Sequence, residues 1–209
     1  VNRDILGVVL AGGRSTRFGS PKALALVGGE RIIDRAIRAV SRISDDVVLI
    51  ANDPALAAAV DLPARADVLP DAGALGGVWT GLLWAQERGR AGILAVACDM
   101  PFLSPALLSE LVARAEPASG SLPDVVIPES GGRRAVEPLC AYYSVRCVPA
   151  VRAALDRSDY RLISFHEDVH VHRVAMEDVV RFGKPEQLFM NVNTPEEHVL
   201  AERLAESIR

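Results

Sequence analysis

Two unbroken apolar runs constrain this chain more than any other feature: Ile5-Leu6-Gly7-Val8-Val9-Leu10 and Gly92-Ile93-Leu94-Ala95-Val96-Ala97. A strand with one wet face alternates apolar and polar residues. A run without alternation marks a strand covered on both faces, the usual condition in a parallel sheet between helical layers. The first run reads as a buried strand and the second as the central one. Strand-like and helix-like segments alternate around them, which predicts an α/β fold: a three-layer, mostly parallel twisted sheet with helices on both faces. A chain of 209 residues can bury one sizeable core, so a single domain over residues 1–209 is expected.

Residues 31–43 read as a helix, because Ile33, Ala36, Ile37 and Val40 recur at three- and four-residue spacing. Residues 46–52 form a second strand, 54–61 a short alanine-rich helix and 67–69 a short strand. A helix over 76–88 turns Val78, Leu82 and Leu83 inward and leaves Trp79 or Trp84 partly covered. Ser104-Pro105 opens the next helix with a side-chain cap and a proline at its first position. After a loop at 117–123, strands at 124–127 and 137–143 flank a turn at 130–133, and a helix runs through Leu155. Residues 170–174 and 188–192 are further strand candidates. Thr194 and Glu197 are spaced as a capping box for the last helix.

Composition narrows the function classes. Half of the residues are hydrophobic, yet they are spread so that no span reaches the roughly 20 needed to cross a membrane. The chain starts at once with strand-like residues, so no secretory leader is expected. A net charge of −4 argues against a nucleic-acid coat but leaves room for a small phosphorylated ligand, which needs only local positive charge. Cys98, Cys140 and Cys147 are an odd number without C-x-x-C spacing. Buried thiols in a reducing cytoplasm are expected rather than a disulfide scaffold or structural zinc.

The first run leads into Ala11-Gly12-Gly13-Arg14-Ser15-Thr16-Arg17-Phe18-Gly19-Ser20-Pro21-Lys22. Glycine lets backbone N–H groups approach an anion closely, and Arg14, Arg17 and Lys22 concentrate positive charge there. The loop is neither a Walker A sequence nor G-x-G-x-x-G. Its place at a strand end, where open α/β sheets bind ligands, favours a triphosphate loop over a flexible turn with solvated cations. Asp99, in Cys98-Asp99-Met100-Pro101, follows the central strand. It suits either one carboxylate on a divalent cation or a residue ahead of a turn. Asp71 precedes the small-residue stretch Ala72–Gly77, which suits a nucleoside contact or a plain helix start. Asn52 follows the second strand. Asn191 and Asn193 precede the capped last helix, as substrate-side amides or as local turn donors. The four histidines form no ligand set.

Taken in order, several segments resemble the molybdenum cofactor guanylyltransferase family: Leu10-Ala11-Gly12-Gly13-x-Ser15-x-Arg17-Phe18-Gly19-x-x-Lys22-Ala23-Leu24, Asp71 with its glycine-rich loop, Ala97-Cys98-Asp99-Met100-Pro101-Phe102, Glu137-Pro138-Leu139 and Asn191-Val192-Asn193-Thr194-Pro195-Glu196. They span nearly the whole chain. The resemblance implies a Rossmann-like nucleotidyltransferase fold and a cytoplasmic, Mg²⁺-dependent enzyme that joins GMP from GTP to molybdopterin and releases pyrophosphate. It implies that Leu10, Ala11, Gly12, Gly13 and Lys22 contact GTP, with Arg17 in the same loop. By the same resemblance Asp71 contacts the nucleoside, Asp99 binds GTP and Mg²⁺, and Asn191 and Asn193 lie on the metal or pterin side.

Lys22, Arg17 and Asp99 are thus the expected catalytic residues, with Asn52 an additional nucleotide contact. GTP and molybdopterin are the expected partners, with transient contacts to carrier or acceptor enzymes of the cofactor. Two departures matter. Gly73-Ala74-Leu75 stands where the family usually has Gly-Pro-Leu, and the position of a further nucleotide-binding Asn in some members falls at Ile50 or Asn52. Two alternatives stay open: a cytidylyltransferase or other small-phosphate or sugar-phosphate nucleotidyltransferase, and a nucleotide-binding subunit without turnover. Ala11-Gly12-Gly13 favours the guanylyl branch, since the cytidylyl branch more often shows Ala-Ala-Gly.

Overall fold

The computed structural model describes residues 2, 4–12, 22–116, 120–131 and 135–207. The first apolar run is strand β1 (Ile5–Ala11). It lies between two parallel neighbours, β4 (Val47–Ala51) and β6 (Gly92–Ala97), with Val8 beside Val48 on one side and Ala95 on the other. All five residues of β4 and all six of β6 are buried. Continuous apolar runs thus occupy the middle of the sheet, as expected for strands without a wet face.

Among the described residues, seven strands follow the order β5-β4-β1-β6-β8-β7-β9, where β5 is Ala64–Arg65, β7 Val125–Pro128, β8 Cys140–Ser144 and β9 Val171–Val174. The sheet is mostly parallel. Strand β8 is the exception, antiparallel to both β6 and β7. A separate two-stranded hairpin joins β2 (Leu26–Val27) to β3 (Glu30–Arg31).

Side-chain alternation sorts the strands between two helical layers. On one face Val9, Leu49 and Leu94 pack against Ile33, Ala36 and Val40 of α1 (Ile32–Ser41), and Val96 against the leucines of α4 (Pro105–Ala115). On the other, Leu6, Val8, Val48 and Ile93 meet Leu75, Val78 and Leu82 of α3 (Gly73–Glu87) and Val151 and Ala154 of α5 (Val148–Asp156). Short helices α2 (Pro54–Ala58), α6 (Met176–Val179) and α7 (Pro185–Leu188) edge the first layer. Helix α8 (Pro195–Ser207) sets Ala201 and Ala205 on the β2–β3 hairpin in a small third cluster with Val27, Ile32 and Val192.

Local chemistry fixes the element ends. Ser104 caps α4, accepting from the Leu107 N–H, and Pro105 supplies a preset φ where no N–H is needed. Helix α3 starts at Gly73, three residues before the expected 76, because Asp71 and Gly73 take left-handed φ of 61° and 59° and turn the chain inward. Three expectations change. Residues 67–69 are not a strand, since Val68 and Leu69 are exposed beyond the sheet edge, and the paired segment is β5. Residues 188–192 are the end of α7 and a turn, where the Phe189 N–H returns to the Pro185 carbonyl. Trp79 and Trp84 are both buried, and the guanidiniums of Arg65 and Arg88 lie over the Trp84 ring, 4.2 and 5.0 Å from its centroid. Among the described residues no helix is long and apolar enough to cross a membrane.

Candidate active site

The carboxyl ends of β1, β4 and β6 share one edge of the sheet, and the amino end of antiparallel β8 joins them. Backbone hydrogen bonds extend the alignment beyond the strands. The Cys98 N–H donates to the Leu10 carbonyl at 3.0 Å, and the Ala97 N–H to the Leu139 carbonyl at 3.0 Å. Gly12 and Asp99 therefore emerge side by side. Among the described residues no atom lies within 4 Å of a side chain placed at Gly12. Ala11 is half-buried and Leu10 is a core residue. Gly13 and Arg17 lie outside the described residues.

Lys22 begins the 3-10 turn Lys22–Leu24. Its ammonium donates to Asp99 Oδ2 at 2.6 Å and to the Asn193 amide oxygen. Side-chain exposures of 17 % and 14 % for Lys22 and Asp99 place this contact in a cleft rather than on open surface, where an ion pair would be heavily screened. Three segments far apart in sequence thus converge on one ammonium.

The last segment is held from two sides. The Val192 N–H donates to the Asp99 carbonyl at 3.0 Å. Glu197 accepts from the N–H groups of Asn193 and Thr194 at 2.7 and 3.0 Å, while its own N–H donates to Thr194 Oγ1 at 3.2 Å. This is the capping box in reciprocal form, and it aims Asn193. Asn191 differs, because its amide nitrogen donates to the Phe189 carbonyl at 3.1 Å, which makes it a turn donor.

At the end of β4, Asn52 grips Asp67. Its amide donates to Asp67 Oδ2 at 2.7 Å, and its oxygen accepts from the Asp67 N–H at 2.8 Å. Asp67 Oδ1 is buried with no hydrogen-bond partner among the described residues, beside Gly77, where an added Cβ would come within 3.5 Å of it and 2.8 Å of Leu10 Cδ2. Burial raises the pKa of this carboxyl, partly offset by the Asn52 hydrogen bond. Asp71 is exposed four residues further on. Sequence reasoning singled out Asp71 and not Asp67. Both acids precede the glycine-rich stretch, and only the pairing with Asn52 separates them.

Oxygen donors dominate the cleft. Asp99 and Asn193 present a carboxylate and an amide oxygen, and no cluster of three His, Cys, Asp or Glu exists among the described residues. Mg²⁺ suits such a set, since it binds through one or two carboxylates and takes its other ligands from phosphates and water. Cys98 is a buried core residue. Burial first, and Asp99 second, push its thiol up to about 12, so it stays protonated and inert. Cys140 and Cys147 are likewise free and buried.

Comparison with known proteins identifies the family. Residues 7–171 match the family model described as "MobA-like NTP transferase domain". The chain is 34% identical over 203 residues to the probable molybdenum cofactor guanylyltransferase of Pelotomaculum thermopropionicum, covering 97% of this chain and 94% of that protein. It is 34% identical over 214 residues to the molybdenum cofactor guanylyltransferase of Mesorhizobium japonicum, covering 100% and 99%. The crystal structure of molybdopterin-guanine dinucleotide biosynthesis protein A from Archaeoglobus fulgidus shares the fold, with a TM-score of 0.78 at 24% identity over 97% of this chain and 99% of that one. A family match over most of the chain, with relatives of this identity along nearly its full length, decides the matter: the chain belongs to the family of MobA-like NTP transferases.

Proposed function

We propose that this protein, acting as one nucleotidyltransferase domain in the cytoplasm, transfers GMP from GTP to molybdopterin and releases pyrophosphate. The observation that carries the reading is the convergence of Lys22, Asp99 and Asn193 at the strand ends beside Gly12. The names of the relatives supply the acceptor and the base.

A phosphate oxygen of molybdopterin attacks the α-phosphorus, and the bond to the bridging oxygen of pyrophosphate breaks. That nucleophile is already ionised, so a site without a histidine or serine base is sufficient. What the reaction needs is offset of the charge moving onto the leaving group. The Lys22 ammonium provides it from beside Gly12, and Arg17 adds to it. Asp99, with Asn193, would hold Mg²⁺, which when bound neutralises phosphate charge. Asp67 is the stronger candidate for the base, with Asn52 orienting it. A carboxylate accepts from both the N1–H and the 2-amino group of guanine, whereas cytosine offers only one amino group. Asp71 stays at the rim, and Asn191 shapes the turn that presents Asn193. Product transfer involves transient contact with carrier or acceptor proteins of the cofactor.

The test is to mix protein, Mg²⁺ and molybdopterin with GTP or CTP and follow pyrophosphate and dinucleotide. GTP-dependent formation of both is expected. Turnover with CTP alone overturns the choice of base, and tight GTP binding without product makes the protein a binding subunit.

A further inference from the structure

Away from the strand-end cleft, a groove of about 760 Å³ opens on the α1 side of the sheet. Its walls are α1, the segment Pro101–Ala106 that leads from Asp99 into α4, and the stretch around α7. The floor is apolar: Ile43, Leu103 and Leu188 are buried, and Phe102 and Phe182 are half-buried. Four cations stand over it, Arg35, Arg38, Arg42 and Lys184.

These cations are not equivalent. Arg35 is part of the wall: it donates to the Pro101 and Val27 carbonyls at 2.9 and 3.1 Å and lies over the Phe102 ring. Arg38 forms a two-point ion pair with Glu30, which also lies 3.6 Å from Arg35, so a single carboxylate serves two guanidiniums. Arg42 and Lys184 are exposed, and neither has an ion pair among the described residues. The groove therefore keeps a positive surplus on a chain whose net charge is −4. Apolar floor and positive rim together call for an occupant with both characters. Solvated surface lysines and arginines would need no such floor, and a purely apolar partner would leave the cations desolvated without compensation.

We propose that this groove docks an acidic segment of another protein, one that seats an aromatic or large aliphatic side chain on Phe102, Phe182 and Leu188 and sets carboxylates against Arg42 and Lys184. The inference rests on none of the nucleotide chemistry. Its place in the fold gives it a consequence for that chemistry, because Arg35 ties the groove wall to the segment that follows Asp99.

Fluorescence anisotropy with a labelled synthetic peptide tests it, using a short chain of Asp and Glu around two Phe residues. The wild-type protein should bind it with a Kd below about 1 mM and lose affinity as salt rises. The double variant Arg42→Glu/Lys184→Glu should weaken binding at least about tenfold, the loss of two attractive contacts turned repulsive. Circular dichroism and an unchanged basal rate of pyrophosphate release would show that the variant folds. A third variant, Phe102→Ala, should weaken the Phe-containing peptide but not a polyglutamate control. Equal binding of polyglutamate, unchanged binding by the double variant, no binding by the wild type, or preferential binding to phosphatidylserine vesicles each overturns the proposal.

Discussion

Lys22 is the side chain on which the site's segments meet, and its substitution gives the sharpest test of the reading. On the proposed function, Lys22→Ala removes a positive donor from the cleft where charge would move onto departing pyrophosphate, so kcat/KM should fall by about 100-fold or more. Lys22→Arg should not restore it, because a planar guanidinium replaces a compact ammonium between Asp99 and Asn193. Steady-state pyrophosphate release reads both, and near-normal rates for Lys22→Ala would remove it from the site. Asp67 calls for a different measurement. Asp67→Asn keeps the shape but loses the double acceptor, so the preference for GTP over CTP should shrink by about tenfold or more while the fold is retained. An unchanged preference would send the search for the base contact back to Asp71.

At the level of elements, the amino end of α8 deserves the closest test, because one capping box both starts the helix and aims Asn193. Thr194→Ala should cost about 1 kcal/mol of stability in urea denaturation. Glu197→Ala releases the N–H groups of Asn193 and Thr194 and should lower turnover more than Thr194→Ala does; equal turnover would separate the cap from the site. That box was legible from sequence, as were Gly92–Ala97 and the cap at Ser104, since each depends on neighbours in the chain. Elements set by distant partners were not. Val68 and Leu69 have the residue types of a strand but no strand to pair with among the described residues, and Leu188 ends a helical turn because Lys184 and Pro185 start one. For the same reason Asp67 was not singled out: its partner Asn52 is fifteen residues away and reaches it only at the sheet edge.

For the molecule as a whole, the half-buried imidazole of His166 links folding to pH. Burial, and then Arg173, lower its pKa to about 4, and its Nε2 has no hydrogen-bond partner among the described residues. Between pH 6.5 and about 4 the unfolded chain takes up a proton that the folded one refuses, so stability falls as pH falls through that window. His166→Gln should flatten the dependence of Tm on pH there, and parallel curves for variant and wild type would exclude the effect. Layer order and the central strands followed from apolar patterning, but β5, the β2–β3 hairpin and the reversed strand β8 did not. Alternation reports which face a side chain covers and is silent on which way a neighbouring strand runs.

Asn193 reaches Lys22 across 171 residues of chain, and Val192 reaches back to Asp99. During synthesis from the amino end, β1 and the Lys22 turn emerge first, Asp99 next, and the Asn193 amide only after both. On the proposed function, turnover therefore waits until the capped start of α8 has been made and has docked against the Asp99 segment.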